Sequence, residues 1–251
     1  LVSVVLLEFA VQCVQRLSGR LADRTGSGSG KTDPAGERII GGRVLAGIFH
    51  VLRSPYLIGI CLYMLLFTFG STVLYFQQAE IAERAFGDRA SLTAFFARLD
   101  LAVNVLTLLT QAFLTGRVIK LVGVTMTLGL LPMVSIMGFA ALGAVPVLMV
   151  FVVFQVLRRA GEYAVARPAR EILYTVLPRE DKYKAKHFID TFVYRAGDQV
   201  GAWSMAGMTA LGLGVAGTAF VAAPIAAVWL AVALLLGRRQ QALAAHPRPG
   251  S

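Results

Sequence analysis

Residues 215–236 read VAGTAFVAAPIAAVWLAVALLL, and this stretch decides the fold because it contains no charged side chain. A helix rises about 1.5 Å per residue, so roughly 20 apolar residues are needed to cross about 30 Å of bilayer hydrocarbon. Residues 121–142 form a second stretch without charge. Both stretches predict membrane-spanning α-helices.

Four other apolar stretches are long enough to span a bilayer, at residues 57–80, 92–115, 145–166 and 188–213. Ser54 and Pro55 supply a helix N-cap and a first-turn proline just before the first of them. We therefore expect an all-α membrane protein with a six-span helical bundle over residues 54–237. Residues 1–15 are interpreted as a partial span.

Composition favours a lipid bilayer as the partner of this chain. Hydrophobic residues make up 57%, charged residues only 15%, and the mean hydropathy is +0.68, which leaves too little polar surface to cover a soluble core. The net charge of +10 does not indicate nucleic-acid binding, because the cations lie between apolar stretches and not on one soluble face.

The Lys and Arg residues are concentrated in alternate connections. Most lie in the Gly- and Ser-rich segment 16–53, in the connection 170–186 and in the tail 238–251. Because Lys and Arg are retained on the cytoplasmic side of membrane proteins, this pattern predicts an inner-membrane protein. The linker, the 170–186 loop and the C-terminus are expected in the cytoplasm.

Residues 25–32, TGSGSGKT, resemble a phosphate-binding loop, but Thr25 replaces the first glycine and Asp33-Pro34 follows at once. Such a loop needs a preceding buried strand and a following helix, so we interpret it as part of the linker. The sequence shows no hydrolytic motif, and Cys13 and Cys61 have no metal-ligand spacing. We expect no enzymatic activity, cofactor or metal.

Ionisable and amide side chains occur inside three of the predicted spans, where each is energetically costly. We predict that they line a substrate-binding cavity: Asp100, Asn104, Arg158, Arg159, Glu162, Arg195 and Asp198. The alternative for each is hydrogen bonding between helices or, for Arg167 onward, anchoring at the cytoplasmic end. Spacing along the helices predicts ion pairs between Arg158 and Glu162, Arg167 and Glu171, and Arg195 and Asp198.

Gly197 and Gly201 are four residues apart on one of these helices. Small residues at this spacing let two membrane helices approach closely. We predict that this face packs against a neighbouring helix.

Two adjacent stretches carry a family resemblance: residues 158–174, RRAGEYAVARPAREILY, and residues 178–198, PREDKYKAKHFIDTFVYRAGD. They resemble the tenth helix, the following cytoplasmic loop with its spaced lysines, and the eleventh helix of the ATP/ADP antiporter family and its major-facilitator-type relatives. The resemblance implies the C-terminal half of a twelve-span carrier. It also implies alternating access, nucleotide or phosphate exchange and a missing N-terminal half as partner.

Three functions stay open at this point. An exchanger of nucleotides or organic anions would use Arg158, Arg159 and Arg195. A proton-coupled exporter of neutral or cationic solutes would use Asp100, Glu162 and Asp198. In a membrane scaffold without transport activity, every buried charge would be paired with an opposite charge of the same protein.

Overall fold

The computed structural model describes residues 54–113, 115–177 and 179–245, with the backbone alone at 118, 119, 179–181 and 184. These residues are almost entirely helical and contain no strand. The partial span 1–15, the linker 16–53 with its phosphate-loop-like stretch, and residues 246–251 lie outside the described part.

Three long helices begin the described chain: α1 is Pro55–Ala85, α2 is Arg89–Phe113 and α3 is Thr115–Ala144. The Ser54 side chain accepts a hydrogen bond from the Leu57 N–H at 3.5 Å, and Pro55 lies in the first turn. The predicted start of this helix is therefore confirmed. Gly123, at φ +78°, kinks α3 near its start, a backbone angle that glycine adopts without steric cost.

Two interrupted helices follow, and each contains a π turn, in which hydrogen bonds run from residue i to i+5. The first comprises α4 (Leu148–Gly161), a π turn (Glu162–Ala166) and α5 (Arg167–Leu173). After a 3₁₀ turn, the second comprises α6 (Arg179–Phe188), a π turn (Ile189–Val193) and α7 (Tyr194–Ala210). Helix α8, Val215–Ala245, ends the described chain.

Among the described residues, four helices are long and apolar enough to cross a membrane: α1, α2, residues 120–144 of α3, and α8. Four of the six predicted spans thus correspond to continuous helices. The other two, 145–166 and 188–213, coincide with the interrupted helices, which the π turns divide into shorter segments. The six-span arrangement therefore stays a prediction.

Two boundaries differ from prediction. The connection 170–186 is largely helical, in α5 and α6, because Lys, Arg, Glu and Ala favour helix. Helix α8 continues past residue 237 to Ala245. Gly237 does not end it, because this glycine serves close packing: a Cβ there would lie 2.5 Å from the Thr125 Cα.

The helices run up and down, so that the start of one helix lies beside the end of another. Tyr56 at the start of α1 donates a hydrogen bond to the Leu173 carbonyl at the end of α5, at 2.7 Å. At the other end of α1, Gln77 donates to the Val215 carbonyl and to the Thr218 hydroxyl at the start of α8. The starts of α1 and α6 therefore lie at one end of the bundle, and the α1–α2 and α7–α8 connections at the other.

Packing is most extensive between α3 and α8, then between α1 and α7 and between α1 and α8. Small residues allow the α1–α7 contact: a Cβ at Gly197 would overlap the Thr68 hydroxyl, and one at Gly201 would lie 2.8 Å from the Thr72 Cβ. The predicted packing face of Gly197 and Gly201 is thus confirmed. Close contact of this kind stabilises helix pairs in lipid. Hydrocarbon surrounds the helices whether they are separate or packed, so burial of apolar surface contributes little there.

Candidate functional site: charged side chains between the helices

Arg158 is the most deeply buried charge in the described residues, with 3% of its surface exposed. It lies ten residues after Leu148, about 15 Å along helix α4. Helix α4 is amphipathic, and the face that carries Phe151, Gln155 and Arg158 is buried. The same periodicity that orients the apolar residues inward therefore carries the guanidinium inward.

Neutral groups hold the guanidinium. Arg158 Nη2 donates to the Ser71 hydroxyl at 2.9 Å and to the Phe67 carbonyl at 3.3 Å, and Nε donates to the Ser135 hydroxyl at 3.3 Å. Its Cζ lies 5.5 Å from the centre of the Phe67 ring, a cation–π distance. We call Phe67, Ser71, Ser135 and Arg158 the Arg158 cluster. Sequence reasoning missed its two serines, because isolated serines inside apolar helices carry no distinguishing pattern.

The predicted Arg158–Glu162 and Arg167–Glu171 ion pairs are wrong. Glu162 instead lies 3.8 Å from Arg167, and Glu171 lies 2.7 Å from Lys186. The π turn explains the first change, because it brings residue i+5 into the position that residue i+4 has in an α-helix. Within the described part of the chain, Arg158 has no carboxylate within 4 Å.

The first π turn leaves backbone carbonyls that side chains of neighbouring helices satisfy. Gln111 Nε2 donates to the Tyr163 carbonyl at 3.1 Å, and the Thr115 hydroxyl donates to the Ala164 carbonyl at 2.7 Å. A backbone carbonyl without a hydrogen-bond partner is costly where water is excluded, so these two bonds stabilise the π turn. Asp100, Asn104 and Gln111 follow one another at spacings of four and seven residues and so share one face of α2, which we call the polar stripe. Helical spacing does not tell which carbonyl Gln111 meets.

Asp100 and Arg159 form an ion pair that connects α2 to α4, with 2.5 Å between Asp100 Oδ1 and Arg159 Nη1. The two side chains are 55% and 32% exposed, so the pair lies on an open face of the bundle. Asn104, one turn after Asp100, is exposed too. The polar stripe of α2 therefore meets α4 at Asp100 and the π turn at Gln111, and it is open at Asn104.

The predicted Arg195–Asp198 pair is not formed. Asp198 is half-buried and accepts a hydrogen bond from the Thr72 hydroxyl at 3.4 Å, whereas Arg195 is exposed and has no ion pair with the described residues. Gly197 fixes the face of α7 that meets α1, and a residue two positions away lies about 200° around the helix. Arg195 therefore points away from α1, toward the outside of the bundle.

An apolar groove of about 360 Å³ lies between α3 and α4, and Met137, Val153 and Leu157 line it with other apolar residues. None of the predicted substrate-binding residues lines this groove. A substrate cavity around Arg158, Arg159 and Glu162 stays a prediction. Cys61 is half-buried without a disulfide, and no three His, Cys, Asp or Glu side chains of the described residues cluster as metal ligands would.

Comparison with known protein families, curated proteins and solved structures finds no match to this chain. The described residues thus belong to an all-α protein, and four of their helices are suited to crossing a membrane. Three of its helical segments, α2, α4 and α7, carry charges between or beside their apolar faces.

Proposed function

We propose that this protein is part of a secondary active transporter of the inner membrane that works by alternating access. The observation that carries the proposal is Arg158, a guanidinium buried between helices with neutral hydrogen-bond partners alone among the described residues. In the proposal α4 is a membrane span, and Arg158, about 15 Å along it, lies near the middle of a bilayer core of about 30 Å. Charges at this depth are costly, and in membrane proteins they mark substrate or ion pathways. A protein that served structure alone would be better stabilised by an apolar side chain at this position.

The distribution of charge over the helices supports the same function. Residues 121–142 of α3 and 215–236 of α8 contain no charge and pack extensively on each other. The exposed or half-exposed charges Asp100, Arg159 and Arg195 lie on α2, α4 and α7. An uncharged helix pair fits contact with lipid, and helices that expose charges fit contact with a second helical bundle.

In this proposal the two interrupted helices are the fourth and fifth of six spans, and the six spans form the C-terminal half of a major-facilitator-type carrier. The second half is the partner that the sequence resemblance implies. Substrate binds between the halves, which rock to expose it to each side in turn. The π turns at Glu162–Ala166 and Ile189–Val193 fit this mechanism, because π turns in α-helices are frequent at functional sites.

The substrate class that we favour is an organic anion, with nucleotides as the first candidates. Arg195 is exposed, Arg159 is half-exposed and paired with Asp100, and Arg158 is buried, so these helices carry three guanidinium groups. Arginine suits phosphate and carboxylate groups because its planar fork can donate two parallel hydrogen bonds.

A proton-coupled exporter is the second candidate, and Glu162 favours it. Only 14% of this side chain is exposed, and its one ion pair, with Arg167, is 3.8 Å long. A partly buried and weakly paired carboxylate is a suitable proton carrier. In that case transport depends on a pH gradient, and Glu162→Gln abolishes the dependence.

The test is counterflow in membrane vesicles from cells that express the chain in its natural gene context. Vesicles loaded with unlabelled ADP should accumulate labelled ATP, Arg158→Met should reduce the initial rate at least tenfold, and Arg117→Met, at the exposed start of α3, should not change it. Vesicles that accumulate neither labelled nucleotides nor other organic anions, while a pH gradient drives efflux of cationic solutes, would favour the second candidate. Absence of both activities in well-expressed protein would contradict a transporter.

A further inference from the structure

The pair of helices α3 and α8 carries its charge at one end only. Residues 121–142 of α3 and 215–236 of α8 contain no charged side chain, and neither helix contains an Asp or a Glu. The residues that follow α3's stretch and precede that of α8, 143–148 and 211–214, are uncharged as well. At the other end, four cations lie within three residues of the uncharged stretches or directly beyond them: Arg117, Lys120, Arg238 and Arg239. We call these four residues the α3–α8 cations.

Contacts between the two helices place the α3–α8 cations at a common level. A Cβ at Gly143 would lie 3.2 Å from the Phe220 ring, and one at Gly237 would lie 2.5 Å from the Thr125 Cα. The helices are therefore antiparallel, and their uncharged stretches lie side by side over the full length. Because a helix rises about 1.5 Å per residue, this register places the four cations within roughly 10 Å of one another along the helix axes.

The α3–α8 cations are exposed, and none of them forms an ion pair with the described residues. Large apolar side chains beside them on the same two helices are exposed too, among them Leu121, Met126 and Leu235. Each uncharged stretch is about 33 Å long, close to the hydrocarbon thickness of about 30 Å. In a bilayer the cations therefore lie at the level of the lipid headgroups, and the apolar side chains lie at the level of the acyl chains.

We propose that this end of the α3–α8 pair binds anionic phospholipids, with phosphatidylglycerol as the simplest example. The lipid phosphate accepts hydrogen bonds from the arginines, whose planar guanidinium groups suit phosphate oxygens. Each basic residue near the membrane surface adds to the attraction for anionic lipid. A phosphatidylcholine headgroup has no net charge for the cations to attract, and a soluble phosphate has no acyl chain for the apolar side chains to contact. This surface does not include Arg158, Arg159 or Arg195, so the proposal does not depend on transport.

Quenching of engineered tryptophans by brominated lipids tests the proposal at both ends of α8. In a Trp203→Phe background, Leu235→Trp reports on lipid beside the cations and Phe220→Trp on lipid at the uncharged end, and both positions are exposed. The buried Trp229 gives a common signal, which the Trp203→Phe parent measures. The full chain is placed in phosphatidylcholine nanodiscs that contain a small fraction of brominated phosphatidylglycerol or of brominated phosphatidylcholine. We expect phosphatidylglycerol to be favoured about threefold or more at Leu235→Trp and not at Phe220→Trp.

Two changes should lower the preference at Leu235→Trp by about half or more. One is Arg238→Gln together with Arg239→Gln, and the other is high salt with all four cations intact, because salt screens exposed charges. The salt arm needs no folded variant. Arg89→Gln together with Arg98→Gln removes two exposed arginines of α2 and is the matched control, which should leave the preference unchanged.

Three results would overturn the proposal. The first is equal quenching by the two brominated lipids at Leu235→Trp, and the second is the same preference at both ends of α8. The third is loss of the preference on addition of millimolar inorganic phosphate at constant ionic strength, which would assign the α3–α8 cations to a soluble anion.

Discussion

At the scale of single residues, we expect the buried guanidinium of Arg158 to be needed for function but not for stability. The Ser71 and Ser135 hydroxyls already donate to the Phe67 and Leu131 carbonyls, both at 2.9 Å. Loss of Arg158 therefore leaves neither hydroxyl hydrogen unpaired. A long apolar side chain of similar volume can fill the same space without the cost of a buried charge.

We accordingly predict that Arg158→Met unfolds at a temperature equal to or above that of the original protein, even though it loses transport. Thermal unfolding of the detergent-solubilised protein measures this, and Arg159→Met on the exposed ion pair serves as control. A fall in stability of more than about 3 kcal/mol, the range seen when a compensated buried charge is broken, would instead make Arg158 a structural residue.

Asp88 provides a pH-dependent contribution outside the membrane-spanning segments. It directly precedes α2, and its Oδ1 accepts a hydrogen bond from the Ser91 N–H at 2.8 Å. Hydrogen bonds from Ser91 hold the pKa of the Asp88 carboxyl below its ordinary value of 3.8. Because the folded pKa is the lower one, the stabilisation is present above the unfolded pKa and is lost as the pH falls through the folded pKa.

The corresponding prediction is that Asp88→Asn keeps the helix cap and removes this pH dependence. Comparison of thermal unfolding between pH 3 and pH 6 should show a smaller loss of stability on acidification for the variant than for the original protein. Asp100→Asn, which changes an exposed carboxylate in a different ion pair, controls for the general effect of one removed charge. Equal pH dependence in the original protein and in Asp88→Asn would show that the cap is not formed.

At the scale of helices, the α1–α7 contact depends on the absence of side chains at two glycines. Gly197→Ala places a methyl group into the Thr68 hydroxyl, which should force the helices apart and cost about 1–3 kcal/mol, as overpacking does. Thermal unfolding checks this loss, and Thr68→Ala should recover part of it, because it removes the overlapping hydroxyl. Gly207→Ala on the same helix, with nothing within 4 Å of the added Cβ, is the matched control and should not destabilise.

At the scale of the whole molecule, the up-and-down arrangement fixes which connections share a side of the membrane. The hydrogen bond from Tyr56 to the Leu173 carbonyl places the starts of α1 and α6 at one end. The concentration of Lys and Arg at that end predicts that it is cytoplasmic. Gly87, in the α1–α2 connection, lies at the opposite end and has open space around it.

Cysteine labelling tests this topology in a background in which Cys13 and Cys61 are replaced by alanine. In intact cells an impermeant maleimide should label Gly87→Cys and should not label Lys184→Cys until the membrane is permeabilised. Labelling of Lys184→Cys in intact cells, with Gly87→Cys protected, would reverse the orientation.

Features that depend only on residues close together along the chain could be predicted from the sequence. The apolar stretches predicted the continuous helices, Ser54-Pro55 predicted the start of α1, and the spacing of Gly197 and Gly201 predicted a packing face. Each follows from hydropathy, helical periodicity or local backbone preference, which are properties of short segments.

The contacts between polar side chains of different helices could be seen only in the tertiary structure. The pairing of Asp100 with Arg159, the neutral hydrogen-bond partners of Arg158 and the bond of Thr72 to Asp198 depend on how one helix is rotated and shifted against another. The π turn at Glu162–Ala166 changed the register within a single helix and moved the partner of Glu162 from Arg158 to Arg167. Helical periodicity assumes a constant number of residues per turn, so it cannot anticipate a turn that contains an extra residue.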